Sequence, residues 1–527
     1  MLKRIRPYIY LLTSILLLVS AGCKKGTFNI NEVNPNVPSS VSAKFILSAA
    51  LARSAGIVRG GDADFAELYM GYWSVSGDYI PVTSTLTYQT TTTYYSDNWD
   101  GAYLLLKNYQ QMEQLALAQV SQDPTAVNYI AIARIMEAYH FERMVDMYNN
   151  IPFTQALQGG NINYPKYDSA QTVYTGVLKM LDTAITIINN NNGGNTPLEE
   201  VSYDIMFGNQ GASEMLYWEQ FANTLKLRAV MNLTQYSGGP AIINAELAGL
   251  TSSSFLGAGQ DYAAINPGYT NSSNAQQSPF YQDMGFQTNG SPSGNESYYR
   301  ACSYAVNYMK QTNDTMRLEQ IYAFSSALDT GVNTGLAVAI KGRAFGSEGA
   351  AGEDNQHIGG MGPGLLGTAT SPAVIFPACE SFFLQAEATQ EGYLPGGPSA
   401  AAALYQTAVE ESFRLLGLPT SAADNFISSS TDPNVNISIS SNPVQTIVMQ
   451  EWVALNGIDP VQTWNNWKRL GIPTTLPISI FAGVTASHIP YRLLYSQTEF
   501  QFNSANVATQ NIGGYPDNIN DKIFWMP

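Results

Sequence analysis

The sequence predicts a mainly α-helical protein in which helix pairs stack into a solenoid-like scaffold broken by long irregular loops. Three observations predict it. Apolar residues recur at steps of three or four in several segments. Glycine and proline stand where those stripes end. Strand signals are few and short, Val435–Ile439 being one candidate.

The elements follow in chain order. Lys3, Arg4 and Arg6 precede an apolar run from Tyr8 to Val19, and Ser20, Ala21 and Gly22 lead to Cys23. A positive head, a short apolar core and small residues at the cut make a secretory signal. The run is about 12 residues, too short for a spanning helix of roughly 20. The cysteine after small residues resembles a bacterial lipobox, although Ser20 stands where leucine is usual. It implies cleavage after residue 22 and lipidation of Cys23. Residues 23–41 are polar and punctuated by Pro35 and Pro38, so they read as an extended tether. Residues 42–527 read as one domain.

Within that domain, Ala131, Ile135, Ala138, Phe141, Val145 and Tyr148 form one helical stripe. Trp218, Phe221, Leu225, Ala229 and Leu233 form a second. Tyr405, Val409, Ser412 and Leu416 form a third, stopped by Gly417 and Pro419. Val444, Val448, Trp452 and Leu455 form a fourth, stopped by Gly457. A helix over 380–390 and one over 399–416 flank a Gly/Pro-rich turn at 392–398, which makes a helical hairpin. Ala386, Ala388, Ala401 and Ala402 allow its two helices to approach closely. Loops rich in Gly, Asn, Ser and Thr lie at 190–195, 252–294 and 342–371, and long loops often bind ligands.

Composition narrows the function. Charged residues make up only 13% of the 527-residue chain, and the formal net charge is −16. An acidic body repels phosphate backbones, which argues against nucleic acid as a partner. The polar surface must be largely Asn, Ser, Thr, Gln and Tyr, which suits neutral, hydroxyl-rich ligands. Besides Cys23 there are two cysteines, Cys302 and Cys379, expected as buried free thiols with a disulfide as the alternative.

Four stretches in order resemble the SusD/RagB family of nutrient-binding outer-membrane lipoproteins, and more narrowly its SusD-like subgroup. The first runs from Val145 to Leu157 through Asp146, Tyr148 and Pro152. The second is Trp218–Arg228, and the third is Glu380–Ala388. The fourth is Arg492 and Tyr495 with Glu499 and Asn503, ahead of Phe524 and Trp525. Asn149 and Asn150 replace the Gly-Asp of the family's turn, and Lys24 and Lys25 stand where acidic residues often follow the lipidated cysteine. The resemblance implies tetratricopeptide-like helix pairs, no catalysis and no cofactor. It also implies an outer-membrane lipid anchor facing the cell surface and a SusC-like TonB-dependent transporter as partner. The implied ligand is an oligosaccharide, with peptide capture as the alternative and a lipid-anchored glycoside hydrolase as a third reading. The motifs mark the scaffold rather than the site. Lys226 and Arg228 on an apolar helix are expected to pair with buried carboxylates.

Sugar recognition needs flat aromatic faces and planar polar groups. The segment from Tyr69 to Tyr109 supplies both, and Trp73, Tyr79, Tyr88 and Trp99 are its candidate ligand-binding residues. The segment 262–287 adds Tyr269, Tyr281 and Phe286, with Asn271, Asn274, Gln276 and Gln277 among them. The expectation is that the two segments form a shared aromatic cleft.

Other chemistry finds little support. His140, His357 and His488 lack metal-ligand spacing. Gly362, Gly364 and Gly367 match G-x-G-x-x-G but follow a Gly-rich loop, so they read as a turn. Residues 352–355 lack the regular spacing of a calcium loop. Asp97, Asp100, Asp261, Glu353 and Asp354 are candidate hydrolytic carboxylates by location only.

Overall fold

The helices of the computed structural model include α1 (Ala43–Arg59), α2 (Asp100–Gln119), α3 (Val127–Tyr148), α4 (Ala170–Asn190), α5 (Glu214–Met231) and α6 (Ser303–Gln311). They continue with α7 (Thr315–Ile321), α8 (Ala378–Gln390), α9 (Gly397–Leu415), α10 (Thr420–Ser429), α11 (Pro443–Ala454) and α12 (Pro460–Leu470). The structure describes residues 42–60, 64–80, 82–259, 262–324, 339–510 and 518–527. Cys23, the tether and Asp261 lie outside the described residues. No helix among the described residues is long and apolar enough to cross a membrane.

Consecutive helices pack side by side: α2 on α3, α3 on α4, α4 on α5, α8 on α9 and α9 on α10. This is the helix-pair scaffold that the apolar stripes predict. The α8–α9 hairpin turns through Gly392, Gly396 and Gly397, all at positive φ, and Ala386, Ala388 and Ala401 are fully buried where the two helices meet. Local chemistry sets the ends. Ser169 caps α4 by accepting from Thr172 N at 3.2 Å. Asn442 and Asp459 cap α11 and α12, each followed by proline at the first helical position.

Among the described residues the strands are short and pair as four two-stranded antiparallel ladders. β1 (Trp73–Val75) pairs with β5 (Tyr299–Ala301), and β2 (Ile151–Pro152) with β3 (Tyr167–Asp168). β4 (Ala263–Ile265) pairs with β8 (Ala373–Phe376), and β6 (Tyr322–Ala323) with β7 (Gly360–Met361). The strand expected at Val435–Ile439 is instead a 3-10 turn at Ile437–Ile439. There the Asn436 side chain accepts from Ser438 N at 3.1 Å, a local bond that competes with strand pairing.

Each family-like motif is spent on structure. Arg228 is buried and reaches Glu142 at 2.7 Å and Glu380 at 3.4 Å. Lys226 bonds Asp182 at 2.7 Å. Asp146 is a buried hub that accepts from Tyr174 Oη, Asn232 Nδ2, Asn465 Nδ2 and Trp525 Nε1. Asn149 has φ +70° with ψ −108°, a conformation that favours glycine, so an asparagine in place of the family's glycine is strained here. Its side-chain oxygen accepts from Phe524 N at 2.9 Å. Asn150 Oδ1 accepts from Ala170 N at 2.9 Å, as an aspartate would.

The glycines at 362–367 follow β7 directly and open only the four-residue helix Pro363–Leu366. A Cβ on Gly364 would meet Gln320 and the Leu416 carbonyl at 2.7 Å, so these glycines serve close packing. Cys302 and Cys379 are buried free thiols.

The buried Glu137 on α3 carries a pH prediction. Its Oε1 has no hydrogen-bond partner among the described residues. Burial first, and then Glu113, push its pKa up to about 8 against the pull of Arg134. The folded value lies above the unfolded one, so the contribution is fully present below about 4.5 and lost as pH rises through about 8. Glu137→Gln removes this slope. Its stability relative to the parent should rise by about 3–5 kcal/mol between pH 5 and 9 in urea titrations. An unchanged difference across that range would refute the assignment.

Candidate functional site

β1 ends at Val75, and Ser76 N extends its ladder by donating to Tyr298 O at 2.8 Å. The chain then turns sharply. Gly77 N donates to Glu353 O at 2.8 Å, and a Cβ at Gly77 would stand 2.6 Å from that oxygen, so only glycine fits. Asp78 Oδ2 receives Asn355 N at 2.9 Å. These bonds fix Tyr79, whose ring meets Tyr298 edge-to-face at 5.3 Å. Tyr298 in turn meets Tyr299 at 4.9 Å, and burial holds the Tyr298 hydroxyl above its usual pKa.

The surface around this pair is open. Tyr79 is 39% exposed, and Ile80 and Val82 are exposed beside it. Half-buried Tyr94 bonds Ser84 through its hydroxyl at 2.6 Å. The Asp78 bond holds the loop of Asn355 against the β1 turn, and the next residues, Gln356 and His357, are exposed. Asn355 Oδ1 has no hydrogen-bond partner among the described residues. Aromatic rings therefore stand beside planar polar groups, the combination that holds a sugar ring or another flat neutral ligand.

The other candidates fare differently. Trp73, Tyr88 and Trp99 are 2%, 3% and 1% exposed, so the structure places them in the core, correcting the expectation that they present faces to a ligand. The reason is packing. Trp73 lies on β1 between Phe280 at 6.4 Å and Tyr299 at 5.4 Å. Tyr88 packs on Tyr69 at 5.7 Å, and its hydroxyl accepts from Ser479 N at 2.9 Å. Trp99 is surrounded by Tyr103, Tyr148, Tyr167 and Tyr495. Tyr269, Tyr281 and Phe286 are half-buried and packed on the core. Burial pushes the Tyr269 hydroxyl up to about 12. Gln277 Nε2 ties Asn271 Oδ1 to Phe286 O within that segment.

The two expected segments do meet, but Trp73 against Phe280 is a core contact rather than an open cleft. Tyr298 was not singled out by sequence. It ends the short helix Gly294–Tyr298 directly before β5, whose three residues leave no periodic signal in the sequence.

The carboxylates considered for hydrolysis are engaged separately. Asp100 accepts from Ser496 Oγ and Thr498 Oγ1. Glu353 binds Arg343 at 2.9 Å. Asp354 pairs with His357 at 2.6 Å, which holds its carboxyl below the usual range. Among the described residues no group of three or more His, Cys, Asp or Glu is placed to hold a metal ion.

A second aromatic surface was not foreseen. Trp467 stacks on Tyr491 at 5.7 Å and Tyr491 on His488 at 4.4 Å, with Trp467 and Tyr491 bordering an open cleft of about 470 Å³.

Solved structures share this fold. A SusD homologue from Bacteroides fragilis superposes with a TM-score of 0.73 at 20% identity, covering 92% of this chain and 99% of that one. A chitin-binding SusD homologue from Flavobacterium johnsoniae gives 0.71 at 21% identity, covering 92% and 98%. A SusD-like protein from Bacteroides thetaiotaomicron gives 0.69 at 17% identity, covering 92% and 98%. No curated protein matches the chain. Residues 35–496 match the SusD-like family model described as starch-binding and associating with the outer membrane, and the chain belongs to that family.

Proposed function

We propose that the protein is a nutrient-binding lipoprotein, anchored to the outer membrane through lipid on Cys23 and facing the cell surface. It captures a neutral oligosaccharide and passes it to a SusC-like TonB-dependent transporter. It binds without catalysing. The observation that carries this reading is the solvent-open Tyr79–Tyr298 pair beside the amide-bearing loop at 355–357. The family's description as starch-binding and the chitin-binding homologue support a glycan as ligand. Peptide capture is disfavoured by the local charges. Arg300 on β5 is buried and bonds Glu296 and the Tyr299 carbonyl, so it is not offered to a peptide carboxylate.

Calorimetric titration with malto- and chito-oligosaccharides and short peptides, with product analysis on the same samples, tests the proposal. Saturable sugar binding without turnover is the expected result. Tyr79→Ala and Tyr298→Ala should each weaken it by about 1 kcal/mol, roughly fivefold, with little loss of stability for Tyr79→Ala. Unchanged affinity in both variants would remove the pair from the site, and sugar cleavage would overturn the non-catalytic reading.

A further inference from the structure

A second cleft lies where the α6–α7 turn faces the start and end of α10. Its volume is about 380 Å³, within the roughly 300–1,000 Å³ of small-ligand sites. Residues 311–315 form one wall; Phe413, Asn425, Phe426 and the stretch 429–432 form the other. Asn313 holds the turn at φ +59°, and Asp314 N donates back to Met309 O at 2.8 Å. Asp314, only 1% exposed, stands on the cleft wall.

One carboxylate oxygen of Asp314 is used and the other is not. Oδ2 receives Arg317 Nε at 2.8 Å. Oδ1 has no hydrogen-bond partner among the described residues. Arg317 is fully buried and bonds Ser412 Oγ and Gln450 Oε1 as well, with its guanidinium 5.1 Å and 5.3 Å from the Phe413 and Phe426 rings. It therefore forms a rigid floor and has no remaining role as an anion ligand.

We infer that this cleft is a second ligand site, separate from the Tyr79–Tyr298 surface, that takes a neutral hydroxyl-rich ligand such as the end of a saccharide. The chemistry selects that class. A buried carboxylate oxygen without a partner is costly and demands a donor. Arg317 already neutralises the charge of Asp314, so a hydroxyl serves better than a cation. Asp432 on the opposite wall repels anions. Asn313, Asn425 and Ser429 line the rim with neutral donors and acceptors, and Phe426 adds an apolar edge.

The test titrates the full chain with maltose and with diacetylchitobiose at millimolar concentration. Four proteins are compared: the parent, the double variant Tyr79→Ala/Tyr298→Ala, the cleft-filling variant Asn425→Trp, and the three changes together. Residual binding should survive the double variant and fall at least tenfold when Asn425→Trp is added, while Asn425→Trp alone leaves binding at the Tyr79 surface unchanged. Asp314→Asn should weaken the residual site similarly. Should that variant fail to fold, Asn425→Trp still decides, because Asn425 is exposed and makes none of the Arg317 contacts. The inference is overturned if residual binding ignores Asn425→Trp, if the double variant binds neither sugar, or if a crystal grown in either sugar shows only water at Asp314 Oδ1. Loss of binding through Asn425→Trp with no effect of the tyrosine changes would uphold this cleft and count against the Tyr79 surface.

Discussion

Arg228→Ala should destabilise the protein by about 3–5 kcal/mol, the range for breaking a buried ion pair by removing one partner. The guanidinium and its partners Glu142 and Glu380 are all at most 2% exposed. Asp459 stands 3.7 Å away and is itself held by Arg143 at 2.8 Å. Arg228 also lies against the Tyr139 and Phe376 rings, so truncation removes packing together with charge. Burial already pushes the Glu380 carboxyl well above its usual range, with Arg228 as the main opposing influence. Without that cation the raised pKa rises further. A carboxyl with a raised folded pKa is fully accommodated below its unfolded value and loses stability as pH rises. The penalty of the variant should therefore be largest near pH 8 and shrink toward pH 5 in urea unfolding. A loss below about 1 kcal/mol at pH 8 would refute this account. Arg228→Met should behave like the alanine variant, because the cost comes mostly from the stranded carboxylates.

Trp99→Ala should cost about 3–5 kcal/mol through the cavity it leaves. Its ring packs against Tyr148 at 4.9 Å, Tyr103 and Tyr495 at 5.3 Å, and stacks on Tyr167 at 6.1 Å. Its indole N–H donates to Glu499 at 3.3 Å, and Glu499 also receives Tyr167 Oη and Asn503 Nδ2. Trp99 therefore pins the segment 492–503 to the start of α2 and the end of α3. Thermal unfolding of the variant should show a lower midpoint, with earlier proteolysis in that segment. Trp99→Phe keeps most of the ring and should lose only about 1–2 kcal/mol. A fully stable Trp99→Ala with lost sugar affinity would restore Trp99 to the ligand site. Tyr79→Ala is the contrasting case, because its ring is solvent-open and should affect affinity far more than stability.

The helical class, the stripes that became α3, α5, α9 and α11, the α8–α9 hairpin, and the pairing of Lys226 and Arg228 with carboxylates are legible in the sequence alone. These features are set by local periodicity, by Gly and Pro at the ends, and by the cost of burying an unpaired cation, all of which act within a short window of chain or on one side chain. The aromatic supply also falls in the right region, since Tyr79 belongs to the 69–109 segment. Which rings face water depends on contacts made in the folded chain. Trp99 and Tyr79 look alike in sequence, each aromatic and each near loop-forming residues. Trp99 is covered by Tyr495, 396 positions away in the chain by numbering, whereas Tyr79 meets the edge of Tyr298 and stays 39% exposed. The β1–β5 pairing that delivers Tyr298 to Tyr79 joins strands of three residues, too short to leave a periodic signal. The unpartnered oxygen of Asp314 is likewise invisible in sequence, because a hydrogen-bond partner is a property of what surrounds an atom in space and not of its neighbours along the chain.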